Sequence, residues 1–139
     1  MVTIYKRRDG RIYLHAYQKS SMGINLAGPP FIKIEPSEIL EMPEAIKKLL
    51  AIEPATVPHP KAFDQLEPLY RIAECKDWKE FAKGTLCLHV GVEDGIVRVT
   101  RTKKDGAGFS DLPEPISLGA VTGLASILSA VPELVNRHG

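Results

Sequence analysis

The sequence contains little of what marks several large classes of protein. Only two of its 139 residues are cysteine, too few for a disulfide scaffold. Aromatic residues make up 6%, and no apolar run approaches the roughly 18 residues that a membrane span requires. The start of the chain lacks the apolar region of a secretory signal. We therefore expect a soluble, cytoplasmic protein.

The charge is also too small to indicate a class of partner. The formal net charge is +1, so the chain lacks the basic excess of many nucleic-acid-binding proteins and the acidity of nucleic-acid mimics. The modest basic excess lies in residues 1–52, where eight Lys and Arg residues face five Asp and Glu residues. Near-neutrality favours a protein partner over a phosphate backbone.

The length and composition are those of one globular domain. With 44% hydrophobic residues, a chain of this size can bury about two-thirds of its unfolded surface. We predict a single domain over residues 1–139 that needs no metal or disulfide to hold it together.

Two segments have the pattern of a β-hairpin. Alternating runs meet at Asp9-Gly10 in residues 2–17 and at Asp94-Gly95 in residues 85–102. Asp-Gly tolerates the positive φ angles of tight hairpin turns. A shift of 85 residues places one turn on the other, and each hairpin is followed by a glycine-containing segment, a proline turn and a short apolar strand.

We interpret this self-similarity as a duplicated ββββα unit. The first copy spans residues 1–52 and the second residues 85–139. The predicted fold class is α+β, with two antiparallel four-stranded sheets that are each backed by a helix. The first helix is predicted from Pro43 to about Ala51, and Pro132 is predicted to end the second. The apolar positions of the second helix are Val121, Leu124, Ile127, Leu128 and Val131.

The connector, residues 53–84, differs from both copies. Its three prolines between Pro54 and Pro60 predict an extended crossing segment. A short helix should follow, with Asp77 as its N-cap, Trp78 and Phe81 on one face, and Gly84 as its C-terminal stop.

A row of aromatic and basic side chains follows the first hairpin. Ile12, Leu14 and Ala16 should share the core face of the second strand, because side chains alternate along a strand. The opposite face carries Arg11, Tyr13, His15 and Tyr17, with Tyr5 on the neighbouring strand. Such a face can stack bases and neutralise phosphate, or anchor a protein partner. Alternatively, the tyrosines lie over the sheet or under the connector.

We expect these five residues to contact a partner. Alanine at Tyr13 or Tyr17 should then weaken binding and leave the fold intact, since outward strand positions add little to a core.

No arrangement of residues predicts an enzyme. The sequence lacks a Gly-x-Ser-x-Gly nucleophile motif and the ligand spacings of zinc sites. Cys87 and His89 share one side of a strand and, with His15, would make an incomplete metal site. A half-buried thiol beside a surface histidine is the favoured interpretation. We predict a non-enzymatic protein without a cofactor.

The duplicated ββββα plan resembles the Whirly fold of single-stranded nucleic-acid-binding proteins. Within that architecture, the second half of the chain is similar to the CdiI-type immunity proteins of bacterial contact-dependent growth inhibition systems. The resemblance is carried by the segment Trp78–Phe81, the turn Glu93-Asp94-Gly95 with Ile96–Val99, the pair Gly108-Phe109, the prolines Pro113 and Pro115, and the strand Ile116–Leu118.

The resemblance implies a cytoplasmic, non-enzymatic protein that binds and neutralises the C-terminal toxin domain delivered by a neighbouring cell, commonly a nuclease. Many nuclease inhibitors are acidic and this chain is not. The alternative function is single-stranded DNA or RNA binding through the aromatic and basic face of the first hairpin.

Overall fold

The computed structural model describes residues 1–62, 64–106 and 108–138, and these ranges contain strands and short helices. The strands are β1 (Val2–Lys6), β2 (Ile12–Ser20), β3 (Asn25–Ile34), β4 (Thr56–Val57), β5 (Leu86–Glu93), β6 (Ile96–Asp105), β7 (Gly108–Asp111) and β8 (Ile116–Ala120). The α-helices are α1 (Met42–Leu50), α2 (Glu67–Ile72), α3 (Trp78–Ala82), α4 (Leu124–Leu128) and α5 (Val131–His138), and 3-10 turns span Pro36–Glu41 and Val121–Gly123. The predicted α+β class is confirmed.

Both predicted hairpins are present. β1 pairs antiparallel with β2, and β5 pairs antiparallel with β6. Gly10 has a φ of 84°, and Asp94 and Gly95 both have positive φ, at 53° and 74°. A type I′ turn requires positive φ at both central residues, which explains the Asp-Gly sequence of the second turn.

The strands of both halves lie in one sheet, so the prediction of two separate four-stranded sheets is wrong. The order is β3-β2-β1-β5-β6-β7, with β8 beside β6 and β4 beside β2. β1 and β5 join the halves: Thr3 lies opposite His89, and Tyr5 opposite Cys87. Alternation in a sequence predicts the two faces of a strand, but it does not predict which strand edges meet. The internal duplication stays a prediction.

Two elements differ from the sequence interpretation. The third and fourth strands that the ββββα plan places after the first hairpin are one strand, β3, whose register shifts opposite the His15–Ala16 bond. Pro132 does not end a helix, because α5 begins at Val131 and places Pro132 in its first turn, where no helical N–H is needed. The core positions predicted at Val121 and Ile127 lie outside the described side chains.

The sheet is covered on both faces. On the first face, α1, α4 and α5 pack on aliphatic strand residues, and we call this layer the aliphatic core. It includes Val2, Ile4, Ile12, Leu14, Leu88, Val90, Val97, Val99, Met42, Ile46, Leu49, Leu128, Val131 and Val135. The second face carries the aromatic core, which contains Tyr5, Tyr13, Leu69, Cys75, Phe81 and Cys87.

The connector forms the cover of the aromatic core. The Asp77 carboxylate caps α3 by accepting a hydrogen bond from the Glu80 N–H at 2.8 Å, as predicted from the sequence. Trp78 and Phe81 stack with ring centroids 5.3 Å apart. Gly84 follows α3 with a φ of 67°. Within the described ranges, every helix falls short of the length and apolarity needed to cross a membrane.

Candidate functional site

The side chains predicted to project from the first hairpin are mostly buried. Tyr13 and His15 are each 1% exposed, and Tyr5 is 5% exposed. The Phe81 ring of α3 meets Tyr5 and Tyr13 edge-on, with centroids 5.4 Å apart in each case. The expectation that these three side chains face solvent is therefore wrong. The connector folds over them, so the alternative in which the tyrosines lie under the connector is the one that the structure shows.

His15 is held in one tautomer by two buried hydrogen bonds. Its Nδ1–H donates to the Ala16 carbonyl at 2.8 Å, so Nε2 accepts from the Tyr5 hydroxyl at 3.1 Å. Burial lowers the pKa of His15 to about 4. The ring is therefore neutral near pH 7 and contributes no positive charge to this face.

A second set of polar contacts continues along β1 and β5. The Thr3 hydroxyl bonds to the Tyr17 hydroxyl and lies 2.9 Å from His89 Nδ1. His89 Nε2 lies 3.4 Å from an Asp111 carboxylate oxygen. Burial lowers the pKa of His89 and raises the pKa of Tyr17 to about 12. These groups stabilise the packing of the face as a network of mostly neutral hydrogen bonds.

Cys87 belongs to the same face but has the properties of a core residue. It is 1% exposed, and burial raises the pKa of its thiol to about 12, so the thiol is protonated near pH 7. In the described part of the chain, no three His, Cys, Asp or Glu side chains come together as metal ligands do.

An open cleft lies between the connector and the sheet, beside the aromatic core. Its larger part has a volume of about 660 Å³ and its smaller part about 240 Å³. The larger part is lined by Gln18, Ala27, Pro29, Phe31, Asp64, Gln65, Glu67, Pro68 and Arg71. Ala27 and Gln65 line both parts, so we treat them as one feature and call it the β3–α2 cleft.

Three of the five predicted site residues, Tyr5, His15 and Tyr17, line the smaller part of the β3–α2 cleft. The other two lie elsewhere. Arg11 binds the carboxylates of Asp9 at 2.8 Å and Glu35 at 2.9 Å. Tyr13 lies under Phe81 as part of the aromatic core.

The structure adds apolar residues that the sequence interpretation missed. Met22 and Ile24 are 71% and 45% exposed in the turn between β2 and β3, and Ile24 lines the β3–α2 cleft. Two large apolar side chains flanking Gly23, whose φ is 79°, were the available signal. An exposed apolar rim beside a cleft is typical of interaction surfaces.

The fold is shared by solved structures, among them the following two. A protein of unknown function from Neisseria meningitidis matches with a TM-score of 0.68 and 9% identity over 99% of this chain and 94% of that chain. A chain of the CdiA-CT/CdiI toxin and immunity complex from Yersinia pseudotuberculosis matches with a TM-score of 0.69 and 12% identity over 99% and 95%. No family model and no curated protein matches the sequence. The chain therefore has a fold seen in a toxin and immunity complex.

Proposed function

We propose that this protein is an immunity protein that binds and neutralises the C-terminal toxin domain of a contact-dependent growth inhibition system. The observation that carries the proposal is the match, over nearly the whole of both chains, to a chain of a toxin and immunity complex. A non-catalytic role agrees with the burial of the His15 and Cys87 side chains in packing. A nuclease toxin, a cytoplasmic location and a duplicated, Whirly-like origin of the fold belong to the same proposal.

We propose the β3–α2 cleft as the surface that contacts the toxin domain. Its larger part has a volume of about 660 Å³, and the exposed surface that lines it is mostly apolar. Met22 and Ile24 extend that apolar surface outward. Tyr5, His15 and Tyr17 lie at this cleft, so their contact with a partner stays a prediction, whereas Arg11 and Tyr13 do not line it.

The test is co-expression with the toxin domain encoded in the neighbouring reading frame. We expect the protein to protect cells from that domain and to elute with it as a stable complex in gel filtration. Absence of both protection and complex would contradict the proposal.

A matched pair of variants then tests the surface. Ile24→Glu places a charge at the cleft, whereas Leu40→Glu places the same charge at a residue that is 86% exposed in the 3-10 turn before α1. We expect Ile24→Glu to weaken toxin binding by at least about tenfold, because a buried interfacial charge without a partner is costly. Leu40→Glu should change affinity by less than about twofold. Equal affinities for the two variants would move the interface away from the β3–α2 cleft.

The alternative function, nucleic-acid binding, depended on an accessible aromatic and basic face on the first hairpin, and the structure does not show such a face. Base stacking needs accessible aromatic faces next to unpaired cations. Tyr5 and Tyr13 are buried, His15 is neutral, and Arg11 is engaged by two carboxylates. We therefore do not propose this face as a nucleic-acid site.

A further inference from the structure

A separate cleft near the β1–β2 turn gathers positive charge. It has a volume of about 270 Å³ and is lined by Lys6, Arg7, Arg8, Gly84 and Leu86. Lys83, which precedes Gly84, is exposed next to this cleft in the sequence and lines an adjoining open surface with Lys76, Asp77, Lys79 and Glu80. We call this feature the basic cleft. It differs in residues and in charge from the β3–α2 cleft.

The cations of the basic cleft are held in place by neutral groups. Arg7 donates from Nε to the Phe81 carbonyl and from Nη2 to the Glu80 carbonyl, both at 3.3 Å, and its guanidinium lies 5.3 Å from the Phe81 ring centroid. Lys6 donates to the side-chain oxygen of Asn136 at 3.4 Å. These contacts order the two side chains without an ion pair, and Asp9 is a nearby carboxylate whose charge interacts with Arg7 at longer range.

Arg8 is positioned by the absence of a side chain at Gly84. A Cβ at Gly84 would lie 2.0 Å from Arg8 Nε, so the guanidinium passes through space that only glycine leaves free. Gly84 also has a φ of 67°, a conformation that favours glycine. In the described part of the chain, no ion pair links a carboxylate to Lys6, Arg7 or Arg8.

The neighbouring carboxylates are already engaged. Asp9 accepts from Arg11, and the Asp77 side chain caps α3. The Glu80 carboxylate accepts from the Lys76 N–H at 3.0 Å. Arg11 therefore differs from Lys6, Arg7 and Arg8 in its ion pairs: two carboxylates bind Arg11, and none of the described carboxylates forms an ion pair with the other three.

We infer that the basic cleft receives an acidic surface segment of the protein partner and speeds its association. Cations fixed by neutral acceptors attract carboxylates from a distance, and such complementarity acts mainly on the association rate. A nucleic acid fits less well, because the lining contains no aromatic ring for stacking. The inference rests on the proposed function for the identity of the partner.

The first experiment measures association of the toxin domain by stopped flow at low and high NaCl. The test variant carries Arg8→Glu and Lys83→Glu. Its control carries Lys47→Glu and Lys48→Glu, the same charge change at two exposed positions of α1. We expect the test variant to lower the association rate constant about tenfold at low salt, with dissociation changed less than about twofold. The control should retain the wild-type rate constant within about twofold, and equal rates for both variants would overturn the inference.

The second experiment does not depend on the toxin domain. Hexaglutamate is titrated into the isotope-labelled protein, and amide NMR shifts are followed at residues 6–8 and 84. We expect shifts there in the wild type that disappear in the Arg8→Glu, Lys83→Glu variant. Absence of shifts, or tighter binding of a thymidine 20-mer to the same amides, would overturn the acidic-protein assignment. If hexaglutamate binds but the toxin domain forms no complex, the proposed function fails while the basic cleft stands.

Discussion

The two faces of the sheet are buried by different means. The aliphatic core is covered by α1, α4 and α5 and excludes water without needing hydrogen bonds between its side chains. The aromatic core is covered by the short helices of the connector, and it includes hydrogen-bonded polar groups: Thr3 bonds to Tyr17, and His15 bonds to Tyr5. The stability of a face built from ring edges and hydroxyls depends on hydrogen-bond geometry and on protonation. The stability of a face of methyl groups depends mainly on how well the side chains fill the available volume.

The connector also makes the two faces unequal as surfaces. On the aromatic side, α2 and β3 leave an open cleft of about 660 Å³. The helices on this side, α2 and α3, have six and five residues. The candidate site therefore lies on the side of the sheet that the connector covers.

The largest expected loss of stability comes from removing the Phe81 ring, which packs the connector against the sheet. Phe81 is fully buried, so Phe81→Ala should lower the free energy of unfolding by about 3–5 kcal/mol. Urea unfolding followed by far-ultraviolet circular dichroism and by the fluorescence of Trp78, the single tryptophan, measures both the whole fold and the connector. Coincident transitions would mean that both faces unfold together; an earlier Trp78 transition would mean that the aromatic face opens separately.

Leu14→Ala makes the corresponding change on the aliphatic face. Leu14 is fully buried among strand and helix residues, and the cavity should cost about 2–5 kcal/mol. Here the two probes should shift together, since this core joins β2 to the other elements of the fold. A loss below about 1 kcal/mol would contradict the assignment of Leu14 to a tightly packed layer.

Acid should act on the aromatic face first. The pKa of His15 is lowered to about 4 in the folded protein, against an ordinary value of 6.5. Between these values the unfolded state binds the proton and the folded state does not, so stability falls as the pH drops from 6.5 towards 4. The loss should reach about 3 kcal/mol, with no further contribution from His15 below pH 4.

The pH dependence is measured by urea unfolding at intervals across this window. The variant His15→Gln should be less stable at pH 7 and should show a smaller change with pH. A wild-type stability that is constant from pH 6.5 to pH 4 would contradict the buried, neutral state of His15.

The smallest effect should come from a single hydroxyl of the same face. Tyr17→Phe removes the contact with Thr3, which keeps its contact with His89. We expect a loss of about 1 kcal/mol. Tyr70→Phe is the matched control, because the described residues give the Tyr70 hydroxyl no hydrogen bond, and its effect should stay within about 0.5 kcal/mol. Equal losses in the two variants would remove the distinction between a bonded and an unbonded hydroxyl.

Local features of the fold were predictable from the sequence. The two Asp-Gly turns, the Asp77 cap and the core face containing Leu14 depend on residues close together in the chain. The pairing of β1 with β5 was not predictable, since nothing in either strand specifies which edge it meets.

The candidate site was only partly predictable for the same reason. Alternation correctly placed Tyr5, His15 and Tyr17 on one side of the sheet, where they line one cleft. It could not reveal that the connector would cover Tyr13, because a two-residue period identifies a face but not its cover. Tyr13 is a core residue, so Tyr13→Ala should destabilise the fold and not spare it.

The central position of β1 has a consequence for the time course of folding. This strand lies between β2 and β5, so Thr3 finds its second strand partner only at His89. During synthesis the β1 edge of the first hairpin therefore stays unpaired until the second hairpin has been made. Contacts between residues so distant in sequence also form slowly. In the proposed role, a cell under attack would depend on copies completed earlier and not on chains still leaving the ribosome.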